Sequence, residues 1–297
     1  MKKDLTGNGL FKSYFLTIYS LIVLARPADG VIIGSTGVLG MIVGLRAAPT
    51  LTQMIMGLLG GIFLLGGMDT FNDYKDIESD RISKPWRPLP QGIVSPRMAL
   101  IAAISETAIA IGIGVIFFEI QALLLGFVGI GLALAYSKWL KPFYLAKNVV
   151  VALSLSLALG TGALAVNPTP VIDLIFIVLQ LLIFIAAFIF EIHKDLGDVQ
   201  GDLIQGVKTI PTELGKNRAM KILILGYFTA WIIAASFTIL LQSDFVYLGI
   251  LLLTGVLILL VLCFLVKNPE KYIELTRRMT TLIMGFILLG LARLFLL

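Results

Sequence analysis

The chain has 297 residues, 58% of them apolar and 14% charged, with a net charge of +5 and a mean hydropathy of +0.99. A soluble domain carries about 25% charged residues, so this composition is built for lipid. Cys263 and His193 are each the only residue of their type, which excludes an internal disulfide and a thiolate cluster and argues against haem or His-ligated metal.

In chain order, residues 9–26 are amphipathic and end on Arg26, which places the segment 1–27 at the membrane interface. The apolar stretch Tyr14–Ala25 runs into Arg26-Pro27 with no small-residue cleavage site, so it does not read as a cleavable signal. A bilayer core takes about 20 mostly apolar residues per helix. Nine stretches meet that need: 29–46, 51–71, 97–118, 120–136, 148–166, 170–190, 219–241, 245–266 and 277–296. No polar linker divides them. The expectation is an all-α, multi-pass cell-membrane protein, one domain over 1–297, with nine transmembrane helices around a central cavity. With the N-terminus in the cytoplasm, 21 of the 23 Lys and Arg residues fall on the cytoplasmic side, and Arg46 and Arg293 lie near the outer ends. That bias follows the positive-inside rule and puts the C-terminus outside. Bases set in short loops at one membrane face also argue against a nucleic-acid partner.

The acids are gathered too. Asp69, Asp73, Asp76, Glu78 and Asp80 close the second stretch, and Glu191, Asp195, Asp198, Asp202 and Glu213 close the sixth, on the same side. Each group is followed by bases and a Pro/Gly-punctuated loop, "RPLPQG" and "TIPTELG", which suggests a weak internal repeat in one orientation. Positions four apart share a helix face. Asn72, Asp76 and Asp80 therefore form one stripe with Asp69 and Asp73 beside it, and Asp198 and Asp202 form another next to Asp195. Like charges at that spacing repel, and a helix C-terminus disfavours anions further. For one cluster, a solvated loop paired with nearby Lys and Arg is a sufficient account. Two clusters at equivalent ends, both spaced DxxxD, point instead to hard cations such as Mg²⁺, which take one or two carboxylates and fill their shell with phosphate oxygens and water. Bases beside the acids suit a metal-bridged phosphate or diphosphate. A cation transporter is the reading from another class, since intramembrane acids mark ion paths. It would need charge near the midplane, where Glu106 is the nearest acid. A purely structural membrane partner leaves the paired motifs unexplained.

"NDYKDIESD" (72–80) resembles the NDxxDxxxD signature of the UbiA superfamily of intramembrane prenyltransferases, and "DVQGD" (198–202) resembles its second, DxxxD signature. The resemblance extends over essentially the whole chain. It implies two Mg²⁺ ions bridging an isoprenyl diphosphate to the two motifs: Asn72, Asp76 and Asp80 on one ion with Asp73 nearby, and Asp198 and Asp202 on the other with Asp195 beside them. It also implies that Lys84 and Arg87 clamp the diphosphate, with Lys141 and Lys208 as further candidates. Tyr136 in "YSKWLK" matches a family tyrosine near the cation formed when the diphosphate leaves, and Asn148 lies in the same region. Trp86 and Trp139 read as interfacial belt residues, and Gly57, Gly60, Gly61, Gly66 and Gly67 as close-packing positions.

The stretches "EIHKDLGDVQGD" and "GVKTIPTELGK" resemble both the archaeal ether-lipid branch and the homogentisate and chlorophyll branch of that family, whereas "DRISKPWRPLPQG" and "KPFYLAKNVVVALSLSLALGTGAL" resemble the archaeal ether-lipid branch. This branch implies a geranylgeranyl donor and geranylgeranylglyceryl phosphate as the lipid acceptor, attacking through its free hydroxyl. The alternative is an aromatic acceptor of the quinone, tocopherol or chlorophyll type. Arg26 is a candidate contact for the acceptor's phosphate or an aromatic carboxylate, and equally a candidate interface anchor. The neighbouring "RPADG" departs from the family pattern by carrying Asp29 where many members have asparagine.

Overall fold

The computed structural model describes residues 7–135, 139, 143–241 and 243–296. Among them regular structure is entirely helical: α1 (Gly7–Ala25), α2 (Pro27–Leu45), α3 (Leu51–Lys75), α4 (Ile77–Ser83), α5 (Pro96–Phe117), α6 (Ile120–Ala135), α7 (Tyr144–Val166), α8 (Leu174–Gln205), α9 (Ile210–Leu214), α10 (Lys216–Leu240), α11 (Phe245–Lys267) and α12 (Pro269–Leu296). Local chemistry sets many of these limits. Thr50 and Gln53 form a capping box at the start of α3, and Ser95 caps α5 ahead of Pro96. Asp173 and Asp244 accept backbone N–H bonds at the starts of α8 and α11, from Phe176 (2.9 Å) and Tyr247 (3.0 Å). Such caps satisfy N–H groups that have no partner within the helix.

Among the described residues, eight helices are long and apolar enough to cross a bilayer: α2, α3, α5, α7, α8, α10, α11 and α12. The stretch expected at 120–136 is described as the 16-residue α6, roughly 24 Å long against a hydrocarbon core of about 30 Å. The outward faces carry large exposed apolar side chains, among them Ile104, Val115 and Ile116 on α5 and Leu252, Val256 and Leu259 on α11. Contiguous apolar surface of that kind belongs against lipid. The chain is an integral membrane protein.

Inside, Leu179, Leu182, Ile192 and Leu196 of α8 share one core cluster with Leu159 of α7, Leu223 and Phe237 of α10, Val261 of α11 and Leu291 of α12. A second cluster, Leu24, Ile77, Leu89, Val94 and Ala99, anchors α4 and the loop after it against α1 and α5. Glycines bring backbones close. A Cβ on Gly61 would lie 2.4 Å from Gly34 Cα, and one on Gly162 would lie 1.9 Å from the Gly37 carbonyl oxygen. Gly57, Gly66 and Gly67 likewise face Met41, Ala25 and Thr107, whereas a Cβ on Gly60 would meet its nearest atom at an ordinary 3.8 Å.

One feature of the first motif differs from the uninterrupted stripe expected of it. Helix α3 ends at Lys75 and α4 begins at Ile77, with Asp76 between them at φ −96°, ψ 10°. The backbone bonds Asp76 N–H to Asn72 O and Asp80 N–H to Asp76 O keep the four-residue spacing across the break. In α8 the helix instead runs unbroken through Asp198 and Asp202 and stops at Gly206, whose φ of 65° favours glycine.

Candidate active site

The ends of α3 and α8 open into one cavity of about 710 Å³, within the range of roughly 300–1,000 Å³ usual for small-molecule sites. Its charged wall is Asp69, Asn72, Lys75, Asp76, Asp80, Lys84 and Arg87 on one side and Lys147, Glu191, Lys194, Asp198 and Asp202 on the other. Deeper, the lining turns apolar, with Ile32, Leu65, Leu182, Ile183, Ile258 and Leu291. Leu182 lies 16 residues before Asp198 along α8, roughly 24 Å of helix. The cavity therefore has a charged head and a long apolar body.

The carboxylates and bases at the head interlock. Arg87 Nη1 reaches Asp80 Oδ2 at 2.7 Å and Asp73 Oδ1 at 3.0 Å. Arg26 meets the same Asp73 oxygen at 2.6 Å and Asp69 Oδ1 at 2.7 Å. Across the cavity, Lys84 Nζ reaches Asp198 Oδ2 at 2.8 Å and so ties the first motif's loop to the second motif's helix. Lys147 and Asn148 of α7 engage opposite oxygens of Asp195, and Lys194 pairs with the buried Glu191 at 2.8 Å. Burial alone would lower the Arg26 pKa, but the Asp69 and Asp73 charges outweigh it and hold the guanidinium above its ordinary value. Among the described residues, Arg26 is also one of two non-glycine residues with positive φ, at 45°, in the junction between α1 and α2.

The expected site residues divide by this geometry. Asn72, Asp76, Asp80, Lys84, Arg87, Asp198 and Asp202 line the cavity together. Asp73 and Asp195 are turned inward and held by their bases, 5% and 0% exposed, and neither lines the cavity. Arg26 is engaged by two carboxylates outside the lining, Asn148 is buried against Asp195, and Lys208 sits exposed outside the cavity. Tyr136 and Lys141 lie outside the described residues. Trp86 lines the cavity while remaining 67% exposed. Lys147, Lys194, Glu191 and Asp29 are lining residues to which no role was assigned from sequence. The available signal was their nearness to named positions: Lys147 precedes Asn148, and Lys194 precedes Asp195. Glu106 accepts a hydrogen bond from Thr70 (3.2 Å) and lines a separate, smaller cavity beside α1.

The donor set at the head suits a hard divalent cation. All the candidate ligands are oxygens, and Asp202 Oδ2 is buried without a hydrogen-bond partner, a state that asks for an explanation in a native protein. Among the described residues no three His, Cys, Asp or Glu side chains converge as a ready-made cage. That fits Mg²⁺, which takes few protein ligands and the rest from phosphate and water.

A membrane-embedded helical protein with two acidic, base-flanked helix ends facing one head-and-tail cavity is built for an amphiphile with a polyanionic head. The chain belongs to the UbiA prenyltransferase family, whose family model matches residues 33–290, and it is a prenyltransferase. It is 31% identical over 259 residues to the digeranylgeranylglyceryl phosphate synthase of Pyrococcus abyssi, covering 86% of this chain and 90% of that one. It is 34% identical over 200 residues to the enzyme of the same name from Thermococcus kodakarensis, covering 67% and 70%. The structure of a UbiA homolog from Archaeoglobus fulgidus bound to GPP and Mg²⁺ shares the fold, with a TM-score of 0.66 at 20% identity over 92% of this chain and 99% of that one.

Proposed function

We propose that the protein transfers a geranylgeranyl group from its diphosphate to the hydroxyl of geranylgeranylglyceryl phosphate, a step of archaeal ether-lipid synthesis, with Mg²⁺ as cofactor. The observation that carries the reading is the pairing of the two motifs, Asp76/Asp80 and Asp198/Asp202, at the head of one apolar-bodied cavity. The relatives named for this reaction support the acceptor and the donor length.

In this reading Asn72, Asp76 and Asp80 hold one Mg²⁺ and Asp198 and Asp202 the second, with Asp73 and Asp195 fixing the neighbouring bases. When bound, Mg²⁺ draws charge from the diphosphate and eases its departure. Lys84 and Arg87 take the diphosphate oxygens as charge-assisted donors. The apolar lining from Leu65 to Leu291 aligns the isoprenyl chain and keeps water from the electron-poor C1 carbon. The C1–O bond to diphosphate breaks, the bond from C1 to the acceptor oxygen forms, and the hydroxyl proton is lost. The resemblance adds Lys141 as an anion contact and Tyr136 as a residue near the cation, both outside the described residues, and Lys208 as an anion contact from outside the cavity lining.

The same reading treats 1–297 as one domain with 1–27 at the interface, α6 as a ninth span, the site facing the cytoplasm and the C-terminus outside. Charge asymmetry supports this: the end of the bundle opposite the motifs holds Arg46 and Arg293, paired with Asp173 and Asp244. A green fluorescent protein fused at the C-terminus should then be dark and alkaline phosphatase active there; the reverse would refute the orientation.

The acceptor is tested by incubating purified protein with geranylgeranyl diphosphate, Mg²⁺ and either geranylgeranylglyceryl phosphate or 4-hydroxybenzoate. The lipid product should form. Product with the aromatic acid alone would move the assignment to an aromatic acceptor.

A further inference from the structure

The bases and acids at the cavity head are mutual partners, and each is also what a metal–diphosphate pair would claim. Lys84 Nζ sits 2.8 Å from Asp198 Oδ2, bridging the loop after α4 to α8, and Arg87 Nη1 sits 2.7 Å from Asp80 Oδ2. A carboxylate already capped by a cation is a poor ligand for a second cation, because the two positive charges would stand a few ångströms apart. The same pairing leaves Lys84 and Arg87 less available to an anion arriving alone.

We infer that Lys84 and Arg87 are exchange residues: they cap the motif carboxylates until metal and diphosphate arrive together, then pass from carboxylate to diphosphate as the metal takes their place. The inference rests on the metal–diphosphate reading of this site. Partner exchange keeps every charge compensated, whereas metal alone or diphosphate alone would leave one charge unmatched. Arg26 makes the release of Arg87 possible. Asp73, 5% exposed, is bonded through one oxygen to both guanidiniums, so it keeps a cationic partner in Arg26, whose charge it shares with Asp69, when Arg87 moves away. Asp202 Oδ2 is buried and has no hydrogen-bond partner among the described residues, so it is a ligand oxygen open to a metal. Arg26 is thus a positioning residue, and Lys84 couples the binding of metal to that of diphosphate.

The test is Mn²⁺ binding to the full-length detergent-purified protein without diphosphate, read by electron paramagnetic resonance of free Mn²⁺. Lys84→Met and Lys84→Gln, two variants that guard against one failing to fold, uncap Asp198. They should bind Mn²⁺ about fivefold more tightly than wild type, and their affinity for geranyl diphosphate with Mg²⁺ present should fall by a similar factor. Adding Asp198→Asn to Lys84→Met should abolish the gain in Mn²⁺ affinity. If neither Lys84 variant tightens Mn²⁺ binding while Asp198→Asn abolishes Mg²⁺-dependent geranyl diphosphate binding, the exchange is wrong and the metal reading stands. If Asp198→Asn leaves Mg²⁺-dependent geranyl diphosphate binding as in wild type, the metal reading falls and the exchange with it.

Discussion

Arg26 shows how a side chain's neighbours decide its role. Its position ahead of Pro27 suggested an acceptor contact, yet its guanidinium is engaged by Asp69 and Asp73 and stands outside the cavity lining. These partners lie 43 and 47 positions away in sequence, so no local spacing announces them. Asp76, Asp80, Asp198 and Asp202 were legible for the opposite reason: four-residue spacing on a helix is a local geometry that sequence carries. Arg26→Ala should strand Asp69 beside an Asp73 left to Arg87 alone. The expected cost is about 2 kcal/mol of stability, below the roughly 3–5 kcal/mol of a fully buried pair because Arg26 is 28% exposed. In kinetics the KM for isoprenyl diphosphate should rise while that for the acceptor stays unchanged, and adding Asp69→Asn should restore part of the stability. A rise confined to the acceptor's KM would return Arg26 to the role of an acceptor contact.

At the level of elements, the hydrophobic runs located every long helix, because about 20 apolar residues in lipid have few alternatives to a helix. Their ends were less legible. The junction at Asp76 and the unbroken course of α8 to Gln205 depend on tertiary support, from Ile77, Leu89 and Val94 under the first motif and from α7 and α10 around the second. The glycines separate into two kinds that sequence does not distinguish. Gly162 meets the α2 backbone at Gly37, whereas Gly112 of α5 has nothing within 4 Å of its would-be Cβ. Gly162→Ala must push α2 and α7 apart and should cost about 1–3 kcal/mol, seen as a lower unfolding temperature in detergent. Gly112→Ala should be neutral or stabilise by up to about 1 kcal/mol, through helix propensity alone. Equal effects from the two substitutions would contradict the close α2–α7 approach.

For the molecule as a whole, α8 joins the apolar core to the charged head of the cavity. Its apolar length builds the core, and its charged end presents Asp198 and Asp202 to a loop more than a hundred positions earlier in the sequence, joined by Lys84. The two motifs were visible separately as charge out of place in an apolar chain; that they face one cavity is a property of the packing. If they act as one site, their losses should not add, since residues working as a unit fail together. The most direct measurement is the Mg²⁺-dependent transfer rate of wild type, Asp76→Asn, Asp202→Asn and the double variant, with folding checked by unfolding temperature. Each single substitution should lower kcat/KM about 100-fold or more, on the scale of losing one preorganised charge-stabilising group, and the double should fall little further than the worse single. Near-wild-type transfer by either single variant, in a protein that remains folded, would contradict a shared metal–diphosphate site.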